Sequence, residues 1–182
     1  TSAEEAHLLE LDGRRAIDAY ADELRRLGLL GAEPPLSQDL AQYSLGVKTP
    51  FGEGVSIRTP LKILGNGGIL MSSAIAVGKA VSAVTTTRDR MLSAAAWLRQ
   101  RIESEVPAMA GTLVFECGQR RARLKAEFHA ELQLLRGNST APLLGFAGYG
   151  EIAKFGGNVQ GFHNITAVMV GMVTFSMHAR GR

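Results

Sequence analysis

The chain has 182 residues, of which 46% are hydrophobic and 20% charged, a composition typical of a globular protein with a substantial core. Its formal net charge of +3 comes from basic residues scattered along the chain without interleaved aromatic side chains, which argues against nucleic-acid binding. A single cysteine, Cys117, excludes an intrachain disulfide framework and fits a reducing, cytoplasmic location. The apolar stretch at residues 69–84 is too short and too polar to cross a membrane. We therefore expect one soluble domain over residues 1–182.

The first part of the chain predicts a helix followed by short strands. Apolar residues at helical spacing predict a helix over about residues 13–27, with Asp12 as its cap and Gly28 at its end. A glycine-rich turn at residues 65–68 separates two β-type segments and predicts a hairpin. Residues 80–84 predict a further strand.

The second part of the chain predicts two helices and three longer strands. One helix is expected over about residues 88–104, where Thr86 and Asp89 resemble a capping box, and another over about residues 122–135. The strands are expected at residues 111–120, 142–152 and 162–172. Because helices and strands mix without regular βαβ alternation, we predict an α+β fold, with a largely antiparallel mixed sheet and about three helices packed on it.

The last predicted strand has apolar residues on both faces, which is typical of a central strand covered on both sides. Asn164 and Thr166 offer an amide and a hydroxyl near the start of this strand. In a continuous strand these two side chains share one face and His163 lies on the other. A polar ligand bound by Asn164 would therefore be bound by Thr166 and not by His163.

Two candidate functional residues lie at the end of the strand over 111–120. Cys117 could react as a thiolate beside a guanidinium, but it could equally be a small buried side chain, and a nucleophile would need an oriented base. Arg120 could hold a carboxylate or phosphate with its planar fork. Alternatively it forms an internal ion pair, for which Glu151 is the leading candidate.

A glycine-spaced turn precedes Glu151. Its glycines, Gly145, Gly148 and Gly150, lack the GxGxxG spacing, and no helix is predicted after Glu151, so nucleotide binding by this route is rejected. Such glycines permit close backbone approach and would present Glu151 to a cavity, where it could receive an ammonium group. No metal site is expected, because the histidines lack metal-ligand spacing at positions 7, 129, 163 and 178.

At these residues the chain resembles the C-terminal half of the FIST family, intracellular sensory proteins of signal transduction. The family pattern is a strand ending in Cys-x-x-Arg, a helix, a Gly-Phe-x-Gly-x-Gly-Glu turn, and a His/Asn-x-Thr that opens a long strand. The matching residues in this chain are Cys117, Gly118, Arg120, Gly145, Phe146, Gly148, Tyr149, Gly150, Glu151, His163, Asn164 and Thr166.

The resemblance implies a non-catalytic sensory domain for a small molecule such as an amino acid. Arg120 would hold the ligand carboxylate and Glu151 its ammonium group. The other ligand-binding residues would be Asn164, Thr166, Cys117 and Tyr149. The implied partners are an N-terminal FIST lobe or a signalling output protein such as a histidine kinase, and a homo-oligomer is also considered.

Three alternatives remain at this stage. Some members of the family are associated with haem and nitric oxide sensing, so the chain could be a haem-binding nitric oxide sensor with His163 as axial ligand. A hydrolase or transferase that uses Cys117 is a second alternative. A third is a scaffold in which an ion pair between Arg120 and Glu151 is purely architectural.

Overall fold

The computed structural model has the α+β architecture that the sequence predicts. The residues that it describes are 2–40, 42–48, 55–155 and 159–174. They divide into two compact units: unit 1 comprises Thr1–Thr85 and Ile152–Asn164, and unit 2 comprises Thr86–Glu151 and Ile165–Arg182. The chain therefore passes between the units three times, and each unit is described by itself below.

The helices and strands are short and alternate irregularly along the chain. In chain order they are β1 (Ser2–Glu4), β2 (His7–Leu11), β3 (Arg14–Arg15), α1 (Ala16–Arg26), α2 (Ser37–Leu40), β4 (Ser44–Lys48), β5 (Val55–Arg58), β6 (Pro60–Ile63), β7 (Ile69–Met71), β8 (Val81–Val84), α3 (Arg88–Glu105), β9 (Met109–Cys117), α4 (Gly118–Leu124), a 3-10 turn (Lys125–Glu127), α5 (Phe128–Arg136), β10 (Leu143–Gly148), β11 (Glu151–Phe155), β12 (Val159–His163) and β13 (Ala167–Val173).

Unit 1 contains three small sheets. One has the order β1-β2-β7-β6, with β3 paired to β2; the second has the order β5-β4-β8; the third consists of β11 and β12. The apolar face of α1 packs into the core of this unit. The core residues are Leu8, Leu11, Ala16, Tyr20, Leu24, Leu40, Leu45, Ile69, Met71 and Ile75.

The start of the first helix differs from the prediction. Asp12 and Gly13 have φ angles of 52° and 72° and form the tight turn of a hairpin between β2 and β3. An Asp-Gly pair favours this turn, because both central residues of a type I′ turn need positive φ. The helix consequently begins at Ala16, three residues later than expected. Its end is as predicted, with Gly28 at φ 69° just beyond it.

Other local predictions for unit 1 are confirmed. Strands β6 and β7 form the expected antiparallel hairpin, in which Ile63 pairs with Ile69. The turn between them needs a glycine, since Gly67 has a φ of 83°. Strand β8 covers residues 81–84 of the expected 80–84.

Unit 2 is built on the three-stranded sheet β10-β9-β13, in which β10 runs parallel and β13 antiparallel to β9. Helices α3 and α5 contribute to a core on one face of this sheet, where Ala95 and Leu135 pack with Val114 of β9. Helix α3 is capped one residue later than expected, because the Thr87 hydroxyl accepts a hydrogen bond from the Arg90 amide at 3.2 Å.

Several predictions for unit 2 are wrong. Within the described residues, the last strand, β13, lies at an edge of the sheet and β9 is the central strand. Strand β13 also begins only at Ala167, because the chain bends at Asn164 and Ile165, and Ile165 has a φ of 58°. The alternation argued for Asn164 and Thr166 therefore does not apply. In addition, the expected third helix is divided into α4, the 3-10 turn and α5.

Candidate functional site

The candidate site lies in unit 2, where β9 directs a glutamate toward the helix-covered side of the sheet. Thr112, Val114 and Glu116 are buried and alternate along β9, so they share the face that carries the helices. The Glu116 side chain is only 3% exposed. Neither of its carboxylate oxygens has a hydrogen-bond partner among the residues that the structure describes. A buried carboxyl group in this state is energetically costly.

Arg120 lies beside this glutamate and donates to groups from several elements. Its Nε donates to Glu131 Oε1 at 3.0 Å, and its Nη2 contacts the same oxygen. Nη1 donates to the Ile165 carbonyl at 3.3 Å and Nη2 to the Met91 carbonyl at 3.1 Å. Nε also lies 3.4 Å from Glu116 Oε2. Every guanidinium nitrogen of Arg120 is therefore already in use.

The main ion-pair partner of Arg120 is Glu131, which the sequence analysis did not single out. Glu131 is 0% exposed and lies on α5. It stands seven residues after Leu124 and four before Leu135, both of which are buried. Its position on the apolar stripe of the predicted helix was the signal that could have identified it, because a lone charge at such a position requires a buried partner. The predicted ion pair thus exists, but its partners are Glu131 and Glu116.

A second group of side chains brings together three of the predicted site residues. The Thr166 hydroxyl donates to Glu151 Oε2 at 2.6 Å. The Cys117 amide donates to the Thr166 carbonyl at 3.1 Å, which links this residue to the same group. Glu151 is buried, and its Oε1 has no hydrogen-bond partner in the described part of the chain. Cys117, Glu151 and Thr166 therefore form one polar cluster.

The pKa values show that the carboxyl groups of this region influence one another. The pKa of Glu116 is raised to about 8, mainly by burial and also by the nearby carboxylates of Glu131 and Glu151, against the opposing effect of Arg120. Burial also raises the pKa of Glu151, although its hydrogen bonds with Thr166 act in the opposite direction. We call Glu116, Glu131, Glu151 and Arg120 the carboxyl cluster. It contains three carboxyl groups and one guanidinium.

Burial also determines the state of the cysteine. It raises the pKa of the Cys117 thiol, although backbone groups of α4 and of Ile165 lower it in part. The thiol is therefore protonated near neutral pH, and a protonated thiol is a poor nucleophile.

The remaining predicted residues lie elsewhere in the structure. Asn164 belongs to unit 1, where it is buried and its Oδ1 accepts a hydrogen bond from the Ser72 hydroxyl at 2.5 Å. His163 is buried at the end of β12, also in unit 1. Tyr149 follows β10 and is 89% exposed. The predicted set is thus divided, with Asn164 and His163 in one unit and the other five residues in the other.

The His163 imidazole, the candidate haem ligand, is buried among the described residues. No cluster of three or more His, Cys, Asp or Glu side chains within those residues could hold a metal ion. Likewise, no helix in the described ranges is long and apolar enough to span a membrane.

Comparison with known proteins identifies the class of this chain. Residues 16–154 match the family described as FIST C domain. No curated protein and no solved structure matches the chain. The matched region includes β9, the carboxyl cluster and the glycine turn before Glu151. The chain belongs to the FIST C domain family, and it is therefore a sensory domain of signal transduction.

Proposed function

We propose that this domain is a non-catalytic sensor of a small molecule that carries an ammonium group, such as an amino acid. The observation that supports it is the composition of the carboxyl cluster. Three buried carboxyl groups face one arginine, and both oxygens of Glu116 lack hydrogen-bond partners among the described residues. An ammonium group would donate hydrogen bonds to these oxygens and supply the charge that Arg120 alone does not.

The same contacts argue that the ligand is held through its amine. Arg120 was expected to bind a ligand carboxylate, but its nitrogens already donate to Glu131 and to two backbone carbonyls. Releasing a buried guanidinium from those partners would leave Glu131 as an unpaired buried charge, which costs several kcal/mol, on the order of 3–5. The carboxyl groups of Glu116 and Glu151 are instead the protein groups available to accept hydrogen bonds from the ammonium group of the small molecule.

Burial of the carboxyl cluster supports a role in signalling. Because Glu116 and Glu151 are closed to solvent, a ligand can reach them only after local opening of unit 2. Such opening couples occupancy to a change of structure, which a sensor requires. The proposed recipient of that change is a signalling protein such as a histidine kinase or an N-terminal FIST lobe. The protonated state of Cys117 supports the non-catalytic assignment, because nucleophilic catalysis would need the thiolate.

Calorimetric titration with a panel of amino acids and simple primary amines tests this proposal. Wild-type protein should bind at least one amine, with release of a proton at neutral pH, since an adjacent cation favours the ionised form of Glu116. Repeating the titration in buffers with different ionisation enthalpies detects that proton.

The Glu116→Gln substitution should weaken binding at least about tenfold, corresponding to about 1.4 kcal/mol, and abolish the proton release. Glu105→Gln is the matched control, because Glu105 is exposed on α3 and, among the residues that the structure describes, pairs with Arg101 of the same helix. Binding that is unchanged in Glu116→Gln, or the absence of binding by every amine and amino acid tested, would refute the proposal.

A further inference from the structure

A groove in unit 1 is lined by none of the residues of the carboxyl cluster. It has a cavity volume of about 640 Å³ and runs between α1 and β8. Residues 79–83 line one side, and Ala19 and Glu23 of α1 line the other together with Leu27 just after the helix. These three residues are spaced four apart, so they continue one row along the helix surface. The groove is therefore an elongated channel between a strand and a helix.

The strand that lines the groove is an edge strand. In the described part of the chain, β8 is the terminal strand of the sheet β5-β4-β8, and Val81–Val84 pair with β4 on one side only. An edge strand presents the amide and carbonyl groups of every second residue away from the sheet. These groups form a row of donors and acceptors along the side of β8 that β4 leaves open.

The lining of the groove combines apolar surface with charged side chains. Leu45, Val81 and Ala83 contribute apolar surface, and they also pack on the core of unit 1. The charges on α1 are largely paired with one another: Arg26 holds Glu23 through two hydrogen bonds of 2.7 Å. A groove whose lining is apolar and whose charged side chains are mostly paired suits a peptide segment with alternating apolar side chains.

Among the cations that line the groove, Lys79 differs from Arg14 and Arg26, which are held in ion pairs. It lies two residues before β8, and its ammonium group has no ion pair within the described residues. A second lining cation, Arg14, is paired with Asp22. Lys79 is therefore the cation available to an acidic group lying along β8.

From this combination we propose that the groove binds an extended peptide segment of a partner protein. The peptide would add a strand to the open edge of β8, direct alternate apolar side chains to the groove lining, and place an acidic residue beside Lys79. The four residues of β8 would pair with a peptide segment of about 14 Å, at about 3.4 Å per residue. The volume lies in the range of about 300–1,000 Å³ that is usual for ligand sites. Strand addition of this kind draws affinity from the backbone and specificity from alternate side chains.

A peptide fits these observations better than a compact small molecule does. A row of backbone donors and acceptors at regular spacing is matched by another backbone, whereas a compact ligand could use only one or two of them. This inference does not rest on the proposed amine site, since the residues that carry it lie in unit 1 and the carboxyl cluster lies in unit 2.

The experiment selects peptides of about eight residues from a random library displayed on phage, using the full chain as bait. We expect the enriched sequences to alternate apolar and polar residues and to contain an acidic residue at a constant position. The synthetic form of the most enriched peptide is then titrated, and its binding is mapped by amide chemical shifts. The largest shifts should fall on residues 79–83 and on α1.

Two variants with a matched control make the test decisive. Lys79→Glu should weaken binding of the acidic peptide at least tenfold, or about 1.4 kcal/mol, and a peptide with lysine in place of the acid should restore it. Lys62→Glu is the control, because Lys62 is also exposed but lies on β6 outside the groove. Ala80→Trp, at an exposed position in the groove, should block binding by filling the channel.

Thermal unfolding of each variant establishes that it is folded. Failure to enrich any peptide, equal binding by Lys79→Glu and Lys62→Glu, or shifts confined to residues outside the groove would each overturn the proposal. Displacement of the peptide by an amino acid would also overturn it, because the two ligands would then share one site.

Discussion

The buried carboxyl group of Glu116 holds a proton in the folded protein and loses that proton when the chain unfolds. Its pKa is about 8 in the folded state against an ordinary value of 4.5, so the unfolded state binds fewer protons between these pH values. Stability should therefore fall as pH rises from about 4.5 to about 8, by at most about 1.4 kcal/mol per pH unit from this group. This direction is opposite to that of an ordinary salt-bridged carboxylate.

Glu116→Gln tests this dependence directly. The amide keeps the shape of the side chain but does not titrate, so the free energy of unfolding should vary less with pH than in the wild type, and the variant should be the more stable protein above about pH 8. Urea unfolding at several pH values and constant ionic strength measures the difference. Part of the pH dependence of the free energy of unfolding should remain in Glu116→Gln, because the pKa of Glu151 is also raised. Parallel curves for Glu116→Gln and wild type, with Glu105→Gln as control, would show that Glu116 does not titrate in this range.

At the scale of single elements, Gly145 decides how closely β10 can approach β9. A Cβ atom at this position would lie 2.0 Å from the Val114 carbonyl oxygen, which is far inside van der Waals contact. The obstructing atom belongs to the backbone of a central strand, so it cannot move aside cheaply. This glycine of the family pattern lies within β10 and is therefore required for strand pairing.

Gly145→Ala should destabilise the protein by about 3 kcal/mol through overpacking and separation of β10 from β9. Gly148→Ala on the same strand is the matched control, because its Cβ would meet nothing closer than 3.6 Å. Chemical denaturation of both variants measures the two losses of stability. Equal effects would mean that lost glycine flexibility, rather than the close approach to Val114, explains the cost.

At the scale of the whole molecule, β10 presents large apolar side chains on an edge of its sheet. Leu144 is 71% and Phe146 is 66% exposed, and β10 pairs only with β9 within the described residues. Leu144 stands in register with Leu113 of β9, which in turn pairs with Val170 of β13, so the apolar surface continues across the sheet. Exposed apolar edges of this kind favour self-association.

We therefore expect the isolated chain to self-associate as its concentration rises, in line with the homo-oligomer considered from the sequence. Leu144→Lys should shift this equilibrium toward the monomer, because a charge on an edge strand opposes pairing with a second edge. Light scattering coupled to size-exclusion chromatography over a range of concentrations measures the mass. Leu36→Lys is the control, since Leu36 is also exposed but lies outside the sheet. Equal masses for the two variants would exclude the β10 edge as the cause.

Local sequence by itself determined the features that depend on a few neighbouring residues. Turn chemistry and periodicity predict the hairpin around Gly67, the end of α1 before Gly28 and the position of Cys117 at the end of a strand. The spacing of the motifs predicts the family. The start of α1 also depends on neighbouring residues: Asp12 and Gly13 form a hairpin turn, whereas Asp12 is predicted to be the helix cap.

Only the tertiary structure decided which of the candidate side chains meet. Arg120 pairs with Glu131, eleven residues away, because the broken helix places α5 beside the end of β9, and this break was not evident from periodicity. The bend at Ile165 interrupts the predicted strand, so the alternation that would place Asn164 and Thr166 on one face does not apply. Partners of buried charged groups are set by packing between distant elements, and packing of this kind leaves little trace in any local stretch of sequence.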